Sequence, residues 1–207
     1  MLAHYQPTVL EDWVEAKYQS VGILTPADLT IDNIANAFHI KVILLPGAKE
    51  EALWDDSLAA IFLNADKPVL ETREIFFHEL CHPLLHHGDQ LGMSSHQRLH
   101  QEEQAGHFQL YAALPFFMIR SLTLPQLEQD IIHLLATEFA VTHELARKRW
   151  EQIHRRNYSG EAHYQLVAEM RSRYKKSLPQ DWSDETKALY ERAIQRQQKH
   201  YRGMVIR

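Results

Sequence analysis

The chain has 207 residues and a formal net charge of −5, with 45% apolar and 24% charged residues. This composition excludes global disorder, and the charge gives no overall attraction to nucleic acid or to an anionic membrane. A single cysteine, Cys81, excludes an internal disulfide, and we find neither a signal peptide nor an apolar run near the roughly 20 residues that span a bilayer. We therefore expect a cytoplasmic protein that folds as one domain, or as one domain with a helical appendage.

Two helices and two strands are predicted in the first third of the chain. Thr8 and Glu11 have the spacing of a capping box, which predicts a helix that ends near Gly22. Apolar residues at helical spacing predict a second helix over residues 30–38. Two apolar runs, residues 40–45 and 58–63, end in turn-forming residues and are predicted to be strands.

The rest of the chain is predicted to be helical. Helical patterns cover residues 71–87 and 98–114, the second of which ends at Pro115, and a polar loop with Gly92 separates them. Almost everything from Leu124 onward has helical character. The pattern predicts an α+β fold with a small antiparallel or mixed sheet over residues 1–120, followed by a helical region over residues 121–207.

Histidines are concentrated in one segment, because six of the fourteen fall between residues 78 and 100. There His78-Glu79-Leu80-Cys81-His82 has the spacing HExxH. Residues four apart on a helix share a face, so both imidazoles can bind one tetrahedral ion. Glu79 is then placed to take a proton from a metal-bound water without being a ligand. The motif predicts a zinc site with Glu79 as the general base; manganese or iron could also occupy such a site.

A catalytic zinc needs a third protein ligand, and an acidic helix follows the motif. Glu102 and the small Ala105 lie on one face of the helix predicted over residues 98–114. Ala105 would allow close packing against the motif helix, which would direct Glu102 toward the metal. Glu103 points roughly 100° away around the helix and is the alternative ligand.

The same residues also have a structural interpretation, in which His78 and His82 are hydrogen-bonded core histidines and Glu102 is a solvated charge. The apolar flanks of the motif and the downstream glutamate favour the metal site. Pro83 is expected to kink the helix after both ligands and to redirect His86 and His87, which we interpret as supporting residues rather than ligands. Cys81 is interpreted as a small buried residue.

The motif and its surroundings resemble a known family. The segment from His78 to Gly88, the segment 101–108 around Glu102, and Tyr111-Ala-Ala-Leu-Pro115 are similar to the ImmA/IrrE metallopeptidases, and the likeness covers roughly residues 5–157. The resemblance implies a gluzincin-like, zincin-type domain with His78, His82 and Glu102 as zinc ligands and Glu79 as the base. It also implies an anti-repressor function, the cleavage of a helix-turn-helix repressor that controls a mobile element or a stress response. Gly106 departs from the asparagine that is common in the family.

Peptide hydrolysis would need two further features. The predicted strand over residues 58–63 precedes the motif helix and would offer an edge to an extended peptide. Tyr111 and His107, on the helix that carries Glu102, are candidates for stabilising the oxyanion.

A helix-turn-helix outline over about residues 129–157 supports a rival function, a DNA-binding regulator with a non-catalytic metal site. Basic residues continue along its second helix, from Arg147 to Arg156. Against this function, Arg149 occupies a position that such motifs usually fill with an apolar side chain. We therefore expect a protein substrate rather than DNA, and no membrane partner.

Overall fold

A computed structural model describes residues 2–55, 57–86, 94–173 and 178–204, with side chains through residue 196. In chain order the elements are α1 (Val9–Ser20), α2 (Ile31–Ala37), β1 (Ile40–Leu45), β2 (Glu51–Trp54), β3 (Ala59–Asn64), α3 (Val69–Leu85), α4 (Ser95–Ala113), α5 (Phe116–Ile119), α6 (Glu128–Glu138), α7 (His143–Arg173) and α8 (Asp184–Met204). The combination of a small sheet with many helices confirms the predicted α+β class.

The three strands form a mixed sheet in the order β1-β3-β2. β1 runs parallel to β3, and β2 runs antiparallel to it with Ala52 opposite Ile61. β3 is therefore the central strand, so the expectation that residues 58–63 offer a free edge was wrong. Its burial gives the reason, because Ile61 and Leu63 are fully buried and both neighbouring positions are filled by strands. β2 was not predicted, and no strand in the described part of the chain pairs with its other edge.

Local sequence signals set several helix ends as predicted. Thr8 and Glu11 form the predicted capping box at the start of α1, and the Thr30 hydroxyl accepts a hydrogen bond from the Asn33 amide at the start of α2. α3 continues two residues beyond Pro83 and ends at Leu85. The proline has no N–H to donate to the Glu79 carbonyl, and the helix stops within the same turn.

The motif helix α3 lies at the centre of the first part of the chain. It packs against β2 and β3 on one side and against α4 on the other. Phe76, Phe77 and Leu80 of α3 are fully buried, as are Ala105 and Ala112 of α4. The small side chains of α4 allow close approach of the two helices, which was the basis for placing Glu102 near the motif.

The chain divides into two compact units, Met1–Gly160 and Glu161–Arg207. The first extends forty residues beyond the boundary predicted at residue 120 (160 − 120). Two contacts account for this: in a buried pair, Arg149 of α7 lies 2.7 Å from Glu11 of α1, and in a partly buried one, the Thr142 amide donates to the Glu74 carboxylate of α3 at 2.6 Å. The second unit contains the end of α7 and helix α8. None of the helices that the structure describes is long and apolar enough to cross a membrane.

Candidate metal centre

α3 brings the three polar residues of the motif together. His78, Glu79 and His82 each offer a ligand atom, and these atoms all lie within 4.8 Å of one another. The helix adopts this orientation because Phe76, Phe77, Leu80 and Cys81 are fully buried on its other side. The burial of these four side chains leaves His78 and Glu79 half-buried at the surface.

Glu102 of α4 faces both imidazoles. Its Oε2 lies 3.1 Å from His78 Nε2, and its Oε1 lies 3.8 Å from His82 Nε2. Two ligands of a tetrahedral zinc with bonds of about 2.0–2.1 Å are roughly 3.3 Å apart, so these separations fit a shared ion. The two Nε2 atoms and the carboxylate are also the donor types that zinc prefers. The carboxylate is more than half exposed, which leaves this side of the cluster accessible from solvent.

Glu79 lies beside this group and has altered acidity. Burial raises the pKa of the Glu79 carboxyl; the His78 side chain opposes this change, and the negative charge of Glu102 adds to it. The backbone N–H of Ala52 in β2 is a hydrogen-bond donor to the same carboxylate. A carboxylate with a raised pKa, held beside potential zinc ligands, is suited to accept a proton from water.

His82 is the most enclosed of the predicted ligands. Its ring stacks on Trp54 of β2, with centroids 5.8 Å apart and an interplanar angle of 18°. Burial lowers the pKa of His82 to about 4. The imidazole is therefore neutral near pH 7, the protonation state that metal binding requires.

The surroundings of His82 are completed by His86, which the sequence analysis interpreted as a supporting residue, and by Gln104, which it did not single out. His86 Nδ1 lies 3.0 Å from His82 Nδ1, and His86 Nε2 lies 3.2 Å from Gln104 Oε1 of α4. The Trp54 indole N–H donates to the His86 carbonyl at 2.9 Å. The sequence spacing indicated that His86 would lie near His82, because the two residues are four apart and share one face of the helix. His87 lies outside the described residues.

The structure does not bring Tyr111 or His107 to the cluster. The Tyr111 hydroxyl is buried and accepts hydrogen bonds from Arg156 at 2.7 Å and from Gln152 at 3.3 Å. It lies nine residues from Glu102 on α4, a rise of about 13 Å. His107 is exposed and stacks on the Tyr111 ring.

The remaining predicted residues are placed as follows. Glu103 is exposed on the next position of α4 and is in none of the ion pairs of the described residues. Cys81 is buried, and burial raises the pKa of its thiol to about 12, so it remains a neutral thiol. A side chain at Gly106 would meet nothing within 4 Å, so the glycine is not required by packing.

Comparison with known proteins identifies the family. The profile of Peptidase_M78, the IrrE N-terminal-like domain, matches residues 35–151, which include both the motif helix and Glu102. The chain belongs to this family. It is 34% identical over 147 residues to the phage-like element PBSX protein XkdA of Bacillus subtilis (strain 168), covering 71% of this chain and 74% of that protein. It is 29% identical over 152 residues to YqaB of the same organism, covering 73% of this chain and 88% of that protein.

Membership of the Peptidase_M78 family supports a peptidase activity for this chain. It also confirms the resemblance to the ImmA/IrrE family that was found in the sequence. The family match ends at residue 151 and begins at residue 35. It therefore includes Arg149 but not Glu11, the partner of Arg149 in α1. Helix α1, outside the matched region, thus contributes to the packing of a family domain in this chain.

Proposed function

We propose that this protein is a zinc-dependent endopeptidase that cleaves a helix-turn-helix repressor and so relieves transcriptional repression. The observation that carries the proposal is the convergence of His78, His82 and Glu102 beside Glu79. In the zincin-like arrangement that we propose, His78, His82 and Glu102 would hold the ion, and Glu79 would be the base. A closed structural site usually has four protein ligands, whereas this group has three and an exposed side.

Zinc bound by these three side chains would lower the pKa of a water molecule toward about 7 and polarise the scissile carbonyl. Glu79 accepts the proton of the attacking water and then delivers it to the leaving amine. Its raised pKa suits both steps, because a group that titrates closer to neutrality can take up a proton and release it. The His82 ring, held against Trp54, keeps its position while Glu79 acts.

One edge of β2, which pairs with no strand among the described residues, supports binding of an extended peptide. An exposed strand edge can add one further strand through backbone hydrogen bonds. Ala52 of this strand already donates its N–H to Glu79, so a peptide paired along Glu51–Trp54 would pass directly by the base. β2 thus takes the role that the sequence had assigned to residues 58–63.

The choice of substrate rests on the relatives. The printed name of XkdA refers to a phage-like element. The resemblance to the ImmA/IrrE metallopeptidases implies a helix-turn-helix repressor of a mobile element as the substrate, and a phage-like element fits such a setting. We therefore assign this protein a repressor substrate and a place in the cytoplasm.

The rival function, a DNA-binding regulator, receives less support from the side chains of α7. Arg149 is fully buried, and Arg156 is half-buried and pairs with Glu11 at 2.5 Å. Lys148 pairs with Glu144 at 2.7 Å. A helix that presents DNA contacts would direct the whole basic run outward, whereas Arg149 and Arg156 are turned toward Glu11 and only Lys148 of these three is exposed, so the run does not form one phosphate-binding face.

Incubation with a repressor encoded next to the protein's own gene tests the proposal. The wild type should cleave it, and Glu79→Gln should not, because the change removes the base while keeping the shape and the ligands. Metal analysis of both proteins should give about one zinc per chain. Cleavage by Glu79→Gln at the wild-type rate would contradict the assignment of the base. Salt-sensitive DNA binding by the full chain, without cleavage, would favour the regulator.

A further inference from the structure

We propose that His86 and Gln104 fix the tautomer of His82, so that its Nε2 lone pair is directed at the metal before the ion arrives. The inference rests on the proposed zinc site and names the residues that prepare it. Three side chains form a line: His82 Nδ1 to His86 Nδ1 at 3.0 Å, and His86 Nε2 to Gln104 Oε1 at 3.2 Å. The line begins on α3, at the predicted ligand, and ends on α4.

The direction of this line follows from its last member. An amide oxygen can only accept a hydrogen bond, so His86 Nε2 must carry the proton that it shares with Gln104. A neutral His86 with a proton on Nε2 has a lone pair on Nδ1. The short contact between the two Nδ1 atoms then requires His82 to donate from Nδ1. His82 Nε2 is left without a proton, and this is the atom that faces Glu102 at 3.8 Å.

The opposite direction would prevent metal binding. If the amide group of Gln104 were turned so that its N–H pointed at His86, each proton along the line would move to the other nitrogen, and His82 Nε2 would be protonated. A protonated nitrogen cannot bind a metal ion. The orientation of Gln104 therefore decides whether His82 is prepared as a ligand.

Trp54 holds the middle of the line in place. Its indole N–H donates to the His86 carbonyl at 2.9 Å, and its ring stacks on His82. The carbonyl belongs to the residue that caps the C-terminal end of α3. One side chain of β2 thus fixes the backbone of His86 and the ring plane of His82 together. His86, Gln104 and Trp54 are positioning residues, since none of them faces the proposed ion directly.

Conservative variants separate this role from a general packing role. Gln104→Glu keeps an acceptor at the end of the line, whereas Gln104→Leu removes it at similar size. His86→Asn keeps an acceptor for His82 Nδ1–H, whereas His86→Leu removes it. Partners that orient a metal-bound histidine typically contribute 10- to 100-fold in metal affinity. We expect losses in that range, about 10- to 100-fold, for the two leucine variants and much smaller losses for Gln104→Glu and His86→Asn.

The experiment uses the full chain and two readouts, neither of which is peptidase activity. Nitrogen-15 NMR of histidine-labelled, metal-free protein should show His82 as the Nδ1–H tautomer in the wild type and in Gln104→Glu, and a mixture in Gln104→Leu. Zinc competition titrations should show the large affinity losses in Gln104→Leu and His86→Leu and the much smaller losses in Gln104→Glu and His86→Asn. His100→Asn, an exposed histidine on α4, is the matched control and should behave as the wild type. Thermal melting of each metal-free variant shows whether it is folded.

The outcomes distinguish this inference from the proposed function. An Nε2–H tautomer for His82 in the wild type, or unchanged zinc affinity in folded Gln104→Leu and His86→Leu, would overturn it. A wild type that binds no zinc would also overturn it. If the tautomers and affinities follow the expected pattern but no repressor is cleaved, the inference stands and the peptidase proposal fails.

Discussion

The carboxylate of Glu11 in α1 lies 2.7 Å from the guanidinium of Arg149 in α7, and the arginine is fully buried. Arg149 also donates to the Leu114 carbonyl at 3.0 Å and to Gln152 at 2.6 Å. The pair therefore joins the N-terminal helix to α7 through hydrogen bonds that satisfy the buried arginine. Its removal should be costly because the buried Glu11 would keep only one of its two arginine partners, the partly exposed Arg156.

Arg149→Met should lower the free energy of unfolding by about 3–5 kcal/mol, because Glu11 would stay buried with only the partly exposed Arg156 as a charged partner, and the Leu114 carbonyl and Gln152 would lose their donor. Urea denaturation of the full chain measures this change. Glu15→Gln is the matched control, since Glu15 pairs with the exposed Arg120 at 3.5 Å, and exposed pairs contribute at most about 1 kcal/mol. Equal effects of the two substitutions would contradict the importance of the buried pair.

The pH dependence of stability follows from the same carboxylate. Burial by itself raises the pKa of Glu11, but the Arg149 charge and hydrogen bonds from Tyr5 and Thr8 lower it by more, so the net pKa lies below its ordinary value. The stability from Glu11 is therefore complete above the ordinary pKa of about 4.3 and is lost as the pH falls through the lower pKa of the folded state. The stability difference between the wild type and Glu11→Gln should be largest near neutral pH and shrink below about pH 4. If the free energies of unfolding of the wild type and Glu11→Gln differed by the same amount at every pH, the lowered pKa of Glu11 would be contradicted.

The sequence predicted those parts of the fold that depend on local signals. The capping box of Thr8 and Glu11, the motif helix and the approach of Glu102 all follow from the spacing of a few side chains within one or two turns. The order of the strands does not, because β2 has only four residues and its pairing with β3 depends on contacts made elsewhere in the chain. This short strand nevertheless contributes Ala52 and Trp54 to the site.

Arg149 illustrates a second limit. A basic residue in a run of basic residues is usually solvated, and its partner Glu11 lies 138 positions away in the sequence. Residue type alone does not distinguish Arg149 from its exposed neighbours Arg147 and Lys148. Its helical periodicity places it on the buried face with Leu145 and Ile153, but the charge masks that signal. The same network also explains why Tyr111, predicted near the metal, has its hydroxyl among arginines instead.

The identity of the third ligand can be tested by comparing two neighbouring glutamates. Glu102→Gln should weaken zinc binding by at least about 10-fold, because an amide is a poorer ligand than a carboxylate and Glu102 faces both imidazoles. Glu103→Gln should leave the zinc affinity unchanged, since Glu103 is exposed on the next position. Competition titrations with a chromophoric chelator measure both constants. The reverse pattern would make Glu103 the ligand.

Cys81 should be unreactive in the folded protein. Burial raises the pKa of its thiol to about 12, so the reactive thiolate is scarce at pH 8, and the side chain is out of reach of reagents. A thiol reagent such as Ellman's reagent should therefore label the native chain far more slowly than the chain in urea. Rapid labelling of the native protein, at the rate of a model thiol, would contradict its burial.

Two glycines in helices should respond oppositely to alanine. A Cβ at Gly160 in α7 would lie 2.0 Å from the His4 carbonyl oxygen, whereas a Cβ at Gly106 in α4 would meet nothing within 4 Å. Gly106→Ala should raise the free energy of unfolding by about 0.5–1 kcal/mol, because alanine is the better helix former. Gly160→Ala should instead lower it by about 1–3 kcal/mol, since the helix-forming gain is smaller than the cost of displacing backbone next to the hydrogen bond from the His4 amide to Asn157. Urea denaturation of both variants measures the difference, and a stabilised Gly160→Ala would show that the N-terminal segment does not pack against this turn of α7.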